Sequence, residues 1–208
     1  MPDQSLRCES LNKSFDGVQA LADVTIEFPS SGSVAVIGPN GAGKTTLLNV
    51  LTGILRPDGG RVSLGNHSLV GRPPHEIARL GVARTFQELR LIGHLSVLEN
   101  VMLAYPNQRG EHLFRALFRF GLTKEEQTNK AEALIQLQFV GLADRTTEPA
   151  GELSYGQQKL LTLACCLATK AHILLLDEPV AGVHPEMAER ILDLLRRLRD
   201  AGRQIVFI

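Results

Sequence analysis

The stretch SVAVIGPNGAGKTTLLNVLTG, Ser33 to Gly53, admits few folds. Val34 to Ile37 are consecutive apolar residues, which fits a strand buried on both faces in a parallel sheet. Gly38-Pro39-Asn40-Gly41-Ala42-Gly43-Lys44-Thr45 follows as GxxxxGK[ST]. Leu47, Leu48, Val50 and Leu51 then recur at helical spacing, and Gly53 is a C-terminal stop. Strand, glycine-rich loop and helix in this order form a phosphate cradle. The glycines let backbone N–H groups converge on phosphate oxygens, and the helix N-terminus adds positive dipole. Lys44 supplies a mobile charge for β- and γ-phosphates, and the Thr45 hydroxyl can ligate Mg²⁺. Gly38, Asn40, Gly41, Ala42, Gly43 and Thr46 complete the expected nucleotide loop.

A second stretch, AHILLLDEPVAGVHPEMAERILDLLRRLRDAG, supplies the partner chemistry. Ile173 to Leu176 form another buried strand that runs into Asp177-Glu178, and parallel sheets bind ligands beyond such strand ends. Asp177 suits orientation of Mg²⁺ through its water shell, and Glu178 suits a general base acting on water beside the γ-phosphate. Solvated strand-end charges are the plainer alternative. Pro185 opens a helix whose stripe is Met187, Ile191, Leu194, Leu195 and Leu198, with Gly202 as its stop. ELSYGQQKLLTLACCLA opens another helix with Ser154 as N-cap, and Leu160, Leu161, Leu163, Ala164 and Leu167 give its apolar face. Ser154-Tyr155-Gly156-Gln157 is either a cap and turn or a second anion site.

Composition excludes some classes. In 208 residues, Lys+Arg and Asp+Glu are equal at 22 each, which argues against a nucleic-acid binder that grips phosphate by net charge. No apolar run is long enough to span a bilayer. Cys8, Cys165 and Cys166 form no disulfide framework, and the six His show no metal-ligand spacing.

In order along the chain, the loop at Gly38 to Thr45, ARTFQ ending at Gln87, LSYGQ at Leu153 to Gln157, ILLLDEP and AGVHP resemble the motifs of ABC-transporter ATPase subunits. The resemblance covers nearly the whole chain. It implies an α/β P-loop NTPase fold: a RecA-like, mostly parallel sheet with helices on both faces, an N-terminal antiparallel β subdomain and an inserted α-helical subdomain. It implies ATP and Mg²⁺ as cofactors, and a second ATPase subunit, identical or paralogous, packed head to tail. Ser154, Tyr155, Gly156 and Gln157 would then face the partner's nucleotide, with Ser154 and Gly156 at its γ-phosphate. Gln87 corresponds to a glutamine contacting Mg²⁺ and water. Phe15 falls where the family stacks an aromatic ring on adenine, with Val18 beside it, although a bare Phe fits a core position as well.

The resemblance is greatest to branched-chain (hydrophobic) amino-acid importer ATPases, carried by GVARTFQELRLIGHLSVLENVMLA and LSYGQQKLLTLA, with urea-type importers a close second. It implies transmembrane permease partners, a solute-binding protein acting indirectly, and a peripheral place on the cytoplasmic face of the bacterial inner membrane. A non-transport ABC ATPase fits less well, because the insertion is short and the net charge is zero.

The expected organisation is one ATPase domain, 1–208. Residues 1–87 and 159–208 form the nucleotide-binding core, begun by strands at Leu6–Leu11, Val24–Phe28 and Arg61–Leu64, and 88–158 form the helical subdomain. Thr123 and Glu126 would cap a helix with Leu134, Leu137 and Phe139 on its apolar face and Gly141 as its stop. EHLFRALFRFGL reads as a packed amphipathic helix, with a membrane surface as the alternative. The surface from Glu88 to Asn100 would receive the permease. Two departures stand out. His184 replaces the Asp or Asn usual between the ATPase subunits. The expected final strand, Gln204 to Ile208, stops about two residues short of the family's switch histidine, so a chain of this extent is expected to bind ATP and hydrolyse it poorly.

Overall fold

The computed structural model describes residues 5–85, 89–106 and 122–208, without the side chains of 122–125. Two compact units emerge: residues 1–84, 172–178 and 195–208, and residues 85–171 and 179–194.

The first unit contains two sheets. β1 (Leu6–Phe15), β2 (Val18–Phe28), β4 (Gly59–Leu64) and β5 (His67–Ser68) form an antiparallel sheet in the order β2-β1-β4-β5. β3 (Gly32–Ala35), β6 (Val82–Arg84), β7 (Ile173–Leu176) and β8 (Gln204–Phe207) form a parallel sheet in the order β3-β8-β7-β6. Helix α1 (Lys44–Leu51) follows β3, and α2 (Pro74–Arg79) precedes β6. One apolar cluster joins Leu6, Phe28 and Val62 of the antiparallel sheet, Leu48 and Leu51 of α1, and Ile173, Leu175 and Val206 of the parallel sheet. β1 and β2 are longer than expected because Asp16 (φ 47°) and Gly17 (φ 85°) make a two-residue hairpin turn that pairs Phe15 with Val18.

β7 behaves as its sequence suggests. It lies between β8 and β6, and all four of its residues are buried. β3 does not. Among the described residues it pairs with β8 alone: Val34 and Val36 pack on the core, Ala35 is exposed, and Ile37 is 90% exposed.

The second unit is helical. It holds α3 (Val97–Leu103), α4 (Leu122–Val140), α5 (Tyr155–Ala168) and the first part of α6 (Pro185–Asp200), which crosses into the first unit. α5 buries the expected face, and α6 starts at Pro185 and buries Ile191, Leu194, Leu195 and Leu198. On α4 the buried positions are Ala133, Leu137 and Val140, at helical spacing, whereas Leu134 is 38% exposed. Gly53, Gly141 and Gly202 all take positive φ just past helix ends. The Thr123 cap and residues 111–121 of EHLFRALFRFGL lie outside the described side chains and residues respectively.

Candidate nucleotide-binding site

The phosphate loop is positioned from both ends. On its strand side, Val36 N–H donates to Phe207 O at 2.9 Å, extending the parallel ladder one residue beyond β3. On its helix side, Gly43 is the N-cap of α1 with φ 80°, and a Cβ there would lie 2.2 Å from Ala20 O of β2. Only glycine fits that approach. No side chain caps α1 and no acidic residue occupies its first turn. Its N-terminal N–H groups and dipole thus meet neither a capping side chain nor an acidic residue of the first turn, which suits phosphate. Leu47, Leu48, Val50 and Leu51 hold the helix to the core. Lys44 Nζ donates to Gly38 O and Pro39 O, both at 2.8 Å, so contact with a phosphate requires it to exchange these weak neutral acceptors for charged ones.

Asp177 and Glu178 extend β7. Asp177 is 3% exposed, and its carboxylate pairs with Arg84, the last residue of β6, at 3.1 Å. Arg84 also donates to Asn49 on α1 at 2.6 Å, so the loop helix and the acidic strand end share one network. Glu178 is half-buried and adopts φ 47°, a conformation that costs a non-glycine residue on the order of 1–3 kcal/mol. Its N–H donates to Ile208 O at 3.1 Å, which holds it there.

Phe15 and Val18 face each other at the tip of the β1–β2 hairpin and are 43% and 71% exposed, so neither is a core residue. Lys13 Nζ lies 5.4 Å from the centre of the Phe15 ring and bonds Asp58 at 2.7 Å. That bond, together with the Ser14 N–H, holds the exposed Asp58 carboxyl below its ordinary pKa. Val18 stands two residues from Ala20, roughly 7 Å along the strand from the point where β2 meets Gly43.

In the second unit Ser154 caps α5 through a reciprocal pair: its hydroxyl accepts from Gln157 N–H, and its own N–H donates to Gln157 Oε1 at 2.9 Å. Tyr155 is 45% exposed, with Lys159 Nζ 5.4 Å above its ring. Gly156 is confined by Met187: a Cβ would come within 2.7 Å of Cγ. The Tyr155 ring similarly covers Gly182, so LSYGQ and AGVHP pack on each other. His184 O accepts from Ala188 N–H in the first turn of α6.

Residues 21–181 match the ABC transporter family. The chain belongs to that family. It is 37% identical over 201 residues to LivG of Salmonella typhimurium, a high-affinity branched-chain amino acid transport ATP-binding protein, covering 96% of this chain and 79% of that one. BraF of Pseudomonas aeruginosa, of the same description, is 37% identical over 204 residues, covering 98% and 80%. Among solved structures, the ADP conformation of MJ1267, an ATP-binding cassette of an ABC transporter, matches with TM-score 0.82 and 36% identity, covering 98% of this chain and 80% of that one.

The cassette therefore brings the loop residues Gly38 to Thr46, Asp177 and Glu178 into one unit, and describes Ser154 to Gln157 in the other. Gln87 lies outside the described residues. Sequence reading missed Arg84. Its signal was an arginine closing the short strand Val82-Ala83-Arg84, where a charged side chain needs a buried partner.

Proposed function

We propose that this cassette binds ATP with Mg²⁺ and hydrolyses it to drive an importer, with branched-chain amino acids as the cargo. The observation that carries the reading is the uncapped N-terminus of α1, locked by Gly43 against β2 and joined through Arg84 to the carboxylate of Asp177. The LivG and BraF matches support the cargo.

The residues have distinct tasks. Backbone N–H groups from Gly41 to Thr46 cradle the phosphates, and Lys44 neutralises their charge. Phe15 and Val18 offer an exposed apolar surface for the base. Among the described residues no three His, Cys, Asp or Glu side chains could hold a metal ion together. Thr45 and Asp177 would hold Mg²⁺ jointly with the phosphates, and Gln87 would join them. When bound, Mg²⁺ neutralises charge on the β- and γ-phosphate oxygens. Glu178 takes a proton from the attacking water, its backbone fixed by Ile208.

A second cassette, facing head to tail, would offer its Ser154 to Gln157 segment to this nucleotide. None of the described helices is long and apolar enough to cross a membrane. Permease subunits would supply the channel, with this chain docked on their cytoplasmic side. Calorimetric ATP titration paired with phosphate release tests the core of the proposal. Lys44→Ala should lose tight binding, whereas Glu178→Gln, made in a protein that carries the family's switch histidine, should keep binding and lose turnover. Wild-type affinity in the first, or wild-type turnover in the second, would refute these assignments.

A further inference from the structure

The tasks above leave Arg84 unexplained. Its side chain is 5% exposed and that of Asp177 is 2% exposed. The guanidinium forks: Nη2 donates to Asp177 Oδ2 at 3.1 Å, while Nη1 donates to Asn49 Oδ1 at 2.6 Å and to Thr52 Oγ1 at 3.4 Å. The Thr52 hydroxyl donates onward to Leu48 O at 2.7 Å. One cation thus ties the last turn of the phosphate-loop helix to a carboxylate 93 positions beyond the arginine itself. Burying both ions has a desolvation cost of several kcal/mol each, and an apolar pair of similar volume often stabilises a fold as well or better. What the ionic pair adds is direction. With one arm of the planar guanidinium held by Asn49 and Thr52, the other arm fixes where Asp177 Oδ2 sits.

We propose that Arg84 is a positioning residue for Asp177, aiming its carboxylate at the water shell of nucleotide-bound Mg²⁺ and so setting metal affinity rather than nucleotide affinity. This rests on the reading of Asp177 given above. Asn49 belongs to the same device, because it holds the other arm of the fork. Partners that orient metal-facing groups are commonly worth 10–100-fold in metal affinity.

The test uses the full chain, with calorimetric titration of ATP in EDTA and of MgCl₂ at saturating ATP. Arg84→Lys keeps a charge beside Asp177 but cannot grip two partners in a planar fork. It should weaken Mg²⁺ binding about tenfold or more, with ATP affinity in EDTA changed by less than about threefold. Asn49→Ala leaves the ion pair in place and loosens only its anchor, so it should show the same split with a smaller loss. Unchanged Mg²⁺ affinity in both variants would overturn the proposal, as would equal losses with and without metal, which mark a general collapse of the site. If Arg84→Lys does not fold, Asn49→Ala carries the decision alone. A wild-type chain that takes up no ATP in EDTA or in MgCl₂ would instead remove the nucleotide reading, and this inference with it.

Discussion

Replacing Gly43 by alanine probes the joint that places the phosphate loop. Two separable costs follow from the structure. Gly43 has φ 80°, and forcing an L-residue into the left-handed region costs roughly 1–2 kcal/mol. The new Cβ would also lie 2.2 Å from Ala20 O, whereas side-chain Cβ atoms essentially never approach closer than 3.0 Å. The strand and the helix start must therefore separate by about 0.8 Å, the difference between those distances. Overpacking of this kind costs typically 1–3 kcal/mol, more when the opposing atom is backbone. Together they predict a loss of about 2–5 kcal/mol, or roughly 4–20 °C in Tm for a chain of this size. Gly41→Ala is the control. Gly41 has φ 81°, but nothing lies within 4 Å of its Cβ position, so only the conformational cost of about 1–2 kcal/mol applies. Thermal unfolding of both variants, with ATP titration, separates the effects. Gly43→Ala should fall further in Tm and lose more affinity, because the N–H groups of Lys44 and Thr45 move with the helix start. Equal Tm losses in the two variants would refute the close approach to Ala20.

Other perturbations follow from the same structure. Phe15→Ala should weaken ATP binding by about 1–3 kcal/mol, in line with base–aromatic stacking, and should leave Tm nearly unchanged because the ring is exposed; unchanged affinity would remove Phe15 from the base site. Asn100→Ala should cost roughly 2–3 kcal/mol in denaturant unfolding. The Asn100 side chain is buried and bonds Ile92 N, Ile92 O, Leu95 O and Ser96 O, so a smaller loss would show that segment 92–96 holds its shape without it. Gln204→Met should raise stability, by about 1–3 kcal/mol, since Gln204 is fully buried and neither amide atom of its side chain has a hydrogen-bond partner among the described residues. A lowered Tm would contradict that account.

Local chemistry alone determined much of this protein. The phosphate loop, the two strands beside it, the Ser154 cap, the start of α6 at Pro185 and the glycine stops were legible because each is set by backbone conformation or short-range periodicity within about ten residues. The ATP and Mg²⁺ expectations likewise began with residue types at fixed spacing. Tertiary structure decided what depends on residues far apart. Val34–Ile37 and Ile173–Leu176 look alike in sequence, yet among the described residues the first is partly exposed and pairs with one strand, while the second is buried between two. On α4 Leu134, expected on the apolar face, is exposed while Ala133 is buried, because packing, not hydrophobicity alone, selects the buried face. Gly43 and Gly156 are required by Ala20 O and Met187, contacts that no local motif contains. Asp177 met its counter-ion only when β6 and β7 paired. Coulombic and steric partners are chosen by distance in space, and the parallel crossover brings together what the chain keeps far apart.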